Sequence, residues 1–444
     1  MSSTKPFTEL LSAIVDNRGR TCPTSDDGIP LIATNCINND ALYPAFDKVR
    51  YVSQETYDTW FRGHPVPGDL IFVTKGSPGR VCMAPDPVGF CIAQDMVAVR
   101  PDPQKVYPKY LFAALRSHQV QQAIGNMHVG TLIPHFKKGD FDKLDIPLPD
   151  SDVQEAIGEM YYSLSAKIEL NRRMNETLEA MARAIFKSWF VDFDPVRAKA
   201  SGESPESICR RLGLTPDLLA LFPDSFQDSE LGEIPKGWCA STLALEAQRC
   251  RGIIQTGPFG SQLHAADYVP EGVPVVMPQD LVNRRISVDR IARVTADMAM
   301  SLSRHALRAG DVVYSRRGDV ERHALVSQRE HGWLCGTGCL LLRLGEGWAS
   351  QAYLSEVLDL PVTREWIVRH AVGATMPNLN TSILGGVPIL VPTDSILCAF
   401  EALAGTLRKK QMAANAEGDS LAILRDALLP NLFSGELPTT QGSH

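Results

Sequence analysis

The chain lacks the sequence signals of several large protein classes. None of its apolar runs reaches about 18 residues without a charge, so we expect no membrane-spanning helix. The segment Met1–Pro6 is not an apolar signal segment, and we therefore expect a cytoplasmic protein. The ten cysteines include no Cys-x-x-Cys pair and form no regular framework, which indicates reduced and mostly buried thiols.

Motifs for nucleotide and methyl-donor chemistry are also missing. The sequence has no Gly-x-x-x-x-Gly-Lys-Ser/Thr phosphate loop. It also has no Asp/Asn-Pro-Pro-Tyr/Phe motif of the type that amino-methyltransferases use. The glycine cluster at 336–338 predicts a tight turn before a strand. Cys335 and Cys339 could pair with His323 and His331 around a metal, but their spacing does not match the common zinc sites. We therefore predict no catalytic residue and no metal site.

Positive charge is scarce overall but concentrated locally. The formal net charge of -7 argues against a simple nucleic-acid binder, because such domains usually carry a basic excess. From Arg284 to Arg329, however, ten arginines stand against five acidic residues, a local net of +5. An acidic protein can still present a basic face. This distribution suits a protein whose partners supply much of the contact with phosphate.

What the chain does have is an internal repeat with an offset of about 243 residues. Such a period is too long for a solenoid and indicates duplication of a whole domain with a following helix. A duplicated chain can imitate a two-fold dimer, and double-stranded DNA is the commonest two-part target of such proteins. The repeated segments keep their order: Gly28–Ile32 with Gly272–Val276, Gly68–Phe72 with Gly310–Tyr314, Gly76 with Gly318, Pro134 with Pro377, and Pro149 with Pro392.

The repeat and the helical spacing predict two similar α+β domains and a pair of long helices. An internal two-fold would make these helices an antiparallel coiled coil with one globular domain at each end. The predicted segments are a first α+β domain at 1–150, a central long helix at 151–194, a connector at 195–235, a second α+β domain at 236–392, a second long helix at 393–436, and a loose tail at 437–444.

Apolar residues at steps of three or four define the two long helices. The first stripe covers roughly 37 residues, or about 55 Å of helix, and a stripe so long and narrow needs a second helix to cover it. Gly418 and Arg425 interrupt the second stripe. The stripe positions are Val153, Ile157, Met160, Leu164, Ile168, Asn171, Asn175, Leu178, Ala182, Ile185 and Trp189, and then Ile396, Phe400, Leu403, Leu407, Gln411, Ala414, Leu421, Leu428 and Leu432.

Polar residues add two expectations for the first long helix. Ser151 followed by Gln154 is a capping-box pattern at its start. Asn171 and Asn175 lie on the apolar stripe, where they either fix the register between the two helices or face solvent.

Three segments resemble the specificity subunits of type I restriction–modification systems. Leu231–Trp238 is similar to the entry of a target recognition domain in that family. Ala184–Lys199 resembles the end of its central helical region, and Leu221–Phe226 resembles its connector. Together with the duplicated domain-plus-helix plan, the resemblance covers essentially the whole chain.

The resemblance implies a function without catalysis by this chain. One specificity subunit would hold two target recognition domains, and each would read one half of a split double-stranded DNA site. Two methyltransferase subunits would dock on the helices and methylate adenine with S-adenosylmethionine. Two restriction subunits, where present, would add translocation and cleavage driven by ATP and Mg. The family implies that this chain itself binds no cofactor.

The repeated Gly-Asp-strand-loop supplies one set of candidate DNA contacts. Arginine suits guanine edges and phosphate, whereas asparagine and glutamine suit adenine. Alternatively, the loop is scaffold common to both domains, since a shared element does not by itself distinguish two half-sites. The candidates in this element are Lys75 and Arg80 in the first domain and Arg316, Arg317 and Arg322 in the second.

Loops that differ between the two domains supply the second set. They are Thr34–Asp58, Gln255–His264 and Gln279–Arg285, and the alternative for any residue in them is an ordinary solvated turn. A further basic pair precedes the exit strand of the first domain and is missing from the second. The candidates are Gln279, Asn283, Arg284 and Arg285 in the variable loops, and Lys137 and Lys138 in the basic pair.

Two other classes of function remain open from the residues alone. A structural adaptor would bind proteins through both domains and show no DNA sequence preference. A self-contained nuclease or methyltransferase would be active as a purified chain, but the missing cofactor motifs disfavour it. If the helical pair acts as a ruler, half-sites lie about one DNA turn, ~34 Å, apart. Insertions near Asn171 would then change the accepted spacer.

Overall fold

The computed structural model describes residues 3–17, 21–46, 48–127, 134–373 and 377–434. Within those ranges, every helix is either too short or too polar to cross a lipid bilayer. The chain forms two compact units. The N-terminal unit comprises Met1–Thr177 with Gln411–His444, and the C-terminal unit comprises Leu178–Lys410. Each long helix contributes residues to both units. The predicted tail at 437–444 lies outside the described residues.

The N-terminal unit is an α+β domain built around an antiparallel sheet. Its described strands are β1 (Ser3–Pro6), β2 (Leu11–Asp16), β3 (Ile29–Ile32), β4 (Arg50–Val52), β5 (Leu70–Val73), β6 (Val81–Met83), β7 (Cys91–Ile92), β8 (Met96–Pro101) and β9 (Asp145–Leu148). Its short helices are α1 (Gln54–Trp60), α2 (Pro108–Arg116) and α3 (His118–Met127). The central sheet has the order β2-β8-β5-β6, a second sheet has the order β4-β3-β7, and β1 pairs with β9.

The first long helix and the connector follow. Pro205 and Pro216 stand at the first positions of their helices, where a missing N–H costs no hydrogen bond. Ser204 and Thr215 cap these two helices through their side chains. The elements are α4 (Ser151–Phe190), α5 (Asp194–Ala200), α6 (Pro205–Leu212), α7 (Pro216–Ala220), and a hairpin of β10 (Phe226–Ser229) and β11 (Gly232–Pro235).

The C-terminal unit contains the second α+β domain. Its further strands are β12 (Cys239–Thr242), β13 (Ile253–Thr256), β14 (Tyr268–Val276), β15 (Leu281–Val282), β16 (Arg285–Ile286), β17 (Ala292–Val294), β18 (Val312–Ser315), β19 (His323–Leu325), β20 (Leu334–Cys335), β21 (Cys339–Arg343) and β22 (Pro388–Val391). Its helices are α8 (Leu243–Arg249), α9 (Ala296–Ser301), α10 (Gln351–Asp359), α11 (Pro361–His370) and α12 (Thr381–Gly385), and the second long helix is α13 (Asp394–Ser434).

The two domains share one topology. The sheet order β13-β21-β18-β19 repeats β2-β8-β5-β6, and β17-β14-β20 repeats β4-β3-β7. Even the parallel pairings correspond, since β14 pairs with β20 as β3 pairs with β7. The central strands β5 and β18 are fully buried, as their continuous apolar runs require. The prediction of two similar α+β domains from the repeat is confirmed.

The long helices run antiparallel where they meet in the N-terminal unit. The Asn171 amide donates to Glu417 at 2.8 Å, and the Asn175 amide donates to the Asn415 side chain at 2.6 Å. Later residues of α4 therefore face earlier residues of α13. Asn171 is only 2% exposed. Both asparagines thus lie between the helices, in the position from which a buried polar residue specifies register.

Three expectations about the helix stripes are corrected by the structure. Met160 is 42% exposed, and its neighbour Tyr161 is buried in its place. Leu403 is also exposed, at 37%. Arg425 does not interrupt the packing, because its side chain is 3% exposed. The Arg425 guanidinium lies over the Tyr161 ring and donates to the Asp40 carbonyl at 3.3 Å.

The predicted capping box is also wrong. Helix α4 begins at Ser151 itself, and the Gln154 side chain has other hydrogen-bond partners. The Gln154 side chain donates to the Pro149 carbonyl at 2.8 Å and accepts the Tyr107 N–H at 3.0 Å. Gln154 therefore joins the helix to the globular domain.

Candidate nucleic-acid interface

In the C-terminal unit, several loops meet at the end of the central sheet where β18 finishes. The Arg316 N–H donates to the Gly338 carbonyl at 2.8 Å, and the Leu379 N–H donates to the Arg316 carbonyl at 2.8 Å. The Gly318 N–H donates to the Pro377 carbonyl at 3.1 Å. We call residues 316–322 the arginine loop. We call this loop with residues 257–264, 336–338 and 377–379 the sheet-end platform.

The N-terminal unit holds its matching loop in the same way. The Gly76 N–H donates to the Pro134 carbonyl at 2.9 Å, and the Phe136 N–H donates to the Thr74 carbonyl at 2.9 Å. The repeated prolines therefore mark the segments that support the repeated loops. The segments predicted to match just before these prolines, 130–133 and 374–376, lie outside the described residues.

The arginine loop presents a concentration of positive charge. Arg317 is exposed and forms no ion pair with a described residue, whereas Arg322 pairs with Asp319 at 2.7 Å on the surface. The Arg316 side chain is half-buried, and its Nε is buried without a described hydrogen-bond partner. A planar guanidinium with unused donors suits phosphate. Arg317 and Arg316 are therefore the residues of this loop best placed for an anionic ligand.

The basic candidates of the N-terminal unit are more heavily paired. Lys75 lies 3.7 Å from Asp95, and Lys138 lies 3.2 Å from Asp16. All four of these side chains are more than a third exposed, so the pairs are weak and can exchange for phosphate. Two other candidates, Arg80 and Lys137, are exposed and form no ion pair with a described residue.

The variable loop at 279–285 includes the turn of a short hairpin. Asn283 and Arg284 have φ values of 49° and 62° and join β15 to β16. Two central residues with positive φ are typical of the hairpin turn whose twist matches the strands, and asparagine tolerates that conformation well. Gln279, Asn283 and Arg285 are exposed.

Arg284, a predicted DNA contact, is bound to carboxylates of the same unit. Its guanidinium donates to Glu356 at 2.5 Å and to the Ser355 hydroxyl at 2.9 Å, and it lies 3.4 Å from Asp359. Its side chain is only 18% exposed. The two carboxylates neutralise it, so Arg284 anchors the hairpin to helix α10.

Two aromatic residues are buried beneath the arginine loop. The rings of His323 and Tyr314 stack with centroids 5.1 Å apart. Burial lowers the pKa of His323 to about 4, so its imidazole is neutral near pH 7. Burial also raises the pKa of the Cys335 thiol to about 12. Among the described residues, no group of three or more His, Cys, Asp or Glu could hold a metal ion.

Phe259 is a platform residue that the sequence reasoning did not single out. It lies within the predicted variable loop Gln255–His264, and 52% of its surface is exposed. Its N–H donates to the Gln262 side chain at 3.1 Å, and its carbonyl accepts the Gln262 N–H at 2.8 Å. The sequence signal was available, because Phe259 stands between turn-forming residues at 257–258 and Gly260.

Comparison with known proteins now relates the first of these domains to a known family. Residues 15–180 match the family model described as "Type I restriction modification DNA specificity domain". Residues 15–180 are therefore similar to a type I restriction–modification DNA specificity domain. The matched residues include the N-terminal loop at 74–80 and most of the first long helix. The resemblance drawn from the sequence is thereby confirmed.

Full-length specificity subunits are similar to most of the chain. The specificity subunit of the type I restriction enzyme HindI from Haemophilus influenzae is 25% identical, covering 83% of this chain and 86% of that protein. The MjaIX specificity subunit from Methanocaldococcus jannaschii is 21% identical, covering 83% and 78%. The crystal structure of a type I system S subunit from M. genitalium aligns with a TM-score of 0.56 at 16% identity, covering 99% of this chain and 97% of that chain. This last similarity concerns the fold alone.

Proposed function

We propose that this chain is the DNA sequence-specificity subunit of a type I restriction–modification complex. The observation that carries the proposal is the repeated sheet-end loop, held by matching backbone hydrogen bonds in both domains but bearing different side chains. A common frame with different surfaces suits a target with two different half-sites. Catalysis belongs to other subunits, because the family supplies specificity rather than chemistry.

We assign two roles to the candidate residues. Arg316, Arg317, Arg322, Lys75, Arg80, Lys137 and Lys138 contact phosphate and set the position of each domain. Gln279, Asn283 and Arg285 lie on an exposed hairpin and contact base edges of the second half-site. Arg284 is excluded because two carboxylates already hold it. The recognition domains correspond to residues 1–150 and 236–392.

The proposed complex places the missing chemistry on partner subunits. Two methyltransferase subunits dock on the helices at 151–194 and 393–436 and bind S-adenosylmethionine. Two restriction subunits bind ATP and Mg and act on the same DNA in the cytoplasm. The connector at 195–235 joins the two halves. The relatives named above are themselves specificity subunits of type I restriction enzymes, which supports this division of labour.

Methylome sequencing tests the proposal directly. The chain is expressed with the methyltransferase subunit of its system in a host without adenine methylation at the same sites. We expect a split motif with methylated adenines, and we expect it to disappear when this chain is omitted. Methylation that persists without this chain, or that shows no sequence preference with it, would contradict the proposal and favour a structural adaptor.

A further inference from the structure

An exposed aromatic ring lies on the sheet-end platform, outside the buried clusters. Phe259 is 52% exposed and lies outside the buried hydrophobic clusters of its unit. Single exposed apolar residues are common on protein surfaces, so exposure alone shows nothing. The informative features are how rigidly this ring is presented and what surrounds it.

The loop that carries Phe259 is fixed to the platform by close backbone contacts. The Gly257 N–H donates to the Cys339 carbonyl at 2.9 Å, and the Thr337 hydroxyl donates to the Pro258 carbonyl at 3.1 Å. A Cβ on Gly257 would lie 2.0 Å from the Gly336 carbonyl oxygen, so only glycine permits this approach. Leu263, which follows the turn, is buried. The ring is therefore held out by an ordered loop rather than by a flexible one.

The neighbouring surface is positively charged. The turn at 336–338 is hydrogen-bonded to Pro258 on one side and to Arg316 on the other. The Phe259 loop and the arginine loop thus share one support, and both lie at the end of the same sheet. Proteins that bind duplex DNA combine guanidinium groups that contact phosphate with apolar side chains that contact bases.

The corresponding loop of the N-terminal unit has different chemistry. The register of β2 with β8 matches that of β13 with β21, so residues 18–20 are the sequence counterpart of residues 258–260. Residues 18–20 lie outside the described ranges, and their sequence is Arg-Gly-Arg. An apolar ring in one domain and basic side chains in the other suit two different half-sites.

We infer that Phe259 is a specificity-determining residue, which contacts bases of the half-site read by the C-terminal domain. The inference rests on the proposed function and adds an apolar mode of recognition to the polar contacts assigned above. A phenyl ring can pack on the methyl group of thymine or insert between two stacked base pairs. Both contacts are made with bases and not with the phosphate backbone. The contact therefore distinguishes target DNA from other DNA.

The test uses the complex of this chain with its methyltransferase subunit and a duplex bearing the motif found by methylome sequencing. Phe259→Ala is expected to weaken binding to the target about tenfold and to leave binding to a scrambled duplex within about twofold, because losing specific recognition of one base pair costs about 1–3 kcal/mol. The salt dependence of binding is expected to remain unchanged, because no phosphate contact is lost. Phe259→Tyr retains the ring and is expected to restore the preference.

Leu245→Ala is the matched control. Leu245 is 57% exposed, belongs to the same unit and lies on α8, which precedes β13 rather than following it. This variant is expected to bind target and scrambled DNA like the wild type. Replacing each thymine of the half-site by uracil tests packing on the methyl group, which uracil lacks. Replacing each adenine by 2-aminopurine tests entry into a base step, because this base reports the loss of stacking.

The possible outcomes separate the inference from the proposed function. If the wild-type complex prefers no sequence, both are overturned. If the wild type discriminates and Phe259→Ala discriminates equally well, only the inference about Phe259 is wrong. If Phe259→Ala loses the methyltransferase subunit instead of the DNA preference, the ring is a protein contact, and the inference is again wrong.

Discussion

Arg343 holds Asp311 through two hydrogen bonds, one of 2.6 Å from Nε and one of 2.5 Å from Nη2. Asp311 is almost fully buried and also accepts the Arg308 N–H at 2.7 Å. Arg100 and Asp69 form the same two-bond pair in the N-terminal unit. The repeated Gly-Asp element therefore includes a structural ion pair that closes a turn onto the sheet, and this part of the repeat is scaffold.

Removal of Asp311 is expected to destabilise the C-terminal unit. Asp311→Ala leaves the positive charge of Arg343 without its carboxylate partner, although only 17% of that side chain is exposed. It also leaves the Arg308 N–H without its acceptor. Breaking one side of such a pair costs about 3 kcal/mol. Urea unfolding of the full chain measures the change. Arg322→Ala, which removes a pair whose side chains are both 47% exposed, should have a much smaller effect. Equal effects of the two variants would contradict this prediction.

The arginine loop is expected to control the salt dependence of DNA binding. Replacing Arg317 by Ala removes one phosphate contact. The plot of log binding constant against log salt concentration should therefore become less steep by about 1. Reversing the charge of both Arg316 and Arg317 should weaken binding strongly while the complex still assembles. Arg329→Ala is the control, because Arg329 is exposed beyond the far end of β19. A slope that is the same in all variants would exclude this loop from the DNA interface.

Arg284 is expected to affect stability and not DNA affinity. Arg284→Ala removes the group that joins the β15–β16 hairpin to Glu356 and Asp359, both largely buried carboxylates. We expect a loss of about 2 kcal/mol in unfolding free energy, below the range for fully buried pairs because 18% of the side chain is exposed. The neighbouring Arg285→Ala should leave stability nearly unchanged and reduce DNA binding instead. The opposite result for the two arginines would overturn both assignments.

His323 is expected to make the C-terminal unit sensitive to acid. Burial lowers its pKa to about 4 in the folded protein, below the ordinary value of 6.5 in the unfolded chain. Above pH 6.5 the His323 imidazole is neutral in both the folded and the unfolded chain, so the free energy of unfolding keeps its full value. As the pH falls from 6.5 to about 4, the unfolded chain takes up the proton first, and the free energy of unfolding falls by about 3 kcal/mol.

His323→Phe tests this prediction because it keeps a ring stacked on Tyr314 but cannot be protonated. The variant should lose stability less steeply than the wild type between pH 6.5 and pH 4, as measured by urea unfolding at several pH values. His370→Gln, which replaces an exposed histidine of the same unit, should keep the wild-type slope. An unchanged slope in His323→Phe would show that other groups cause the acid sensitivity.

Elements with a strong local pattern were predictable from the sequence. The run Leu70–Thr74, which leaves a turn, predicts a strand, and the structure has one at Leu70–Val73. The proline-containing run Asp145–Pro149 predicts an extended exit from the domain, and the structure has a strand at Asp145–Leu148. The helical spacing from Tyr107 to Ile124 corresponds to two helices that meet at Ser117. Turn residues and apolar periodicity are properties of neighbouring residues, so these elements do not depend on distant contacts.

The sequence by itself determined the duplication, the α+β character of both domains and the two long helices, because each follows from local residue spacing or from direct repetition. The tertiary structure alone decided which charged residues are free. Arg284 meets Glu356 across 72 positions, and Arg425 meets Asp40 across 385. Likewise, the loop that exposes Phe259 is held at Pro258 by Thr337, which is 79 positions away in the chain. A side chain's charge and shape are local, but its burial depends on partners that only folding brings together.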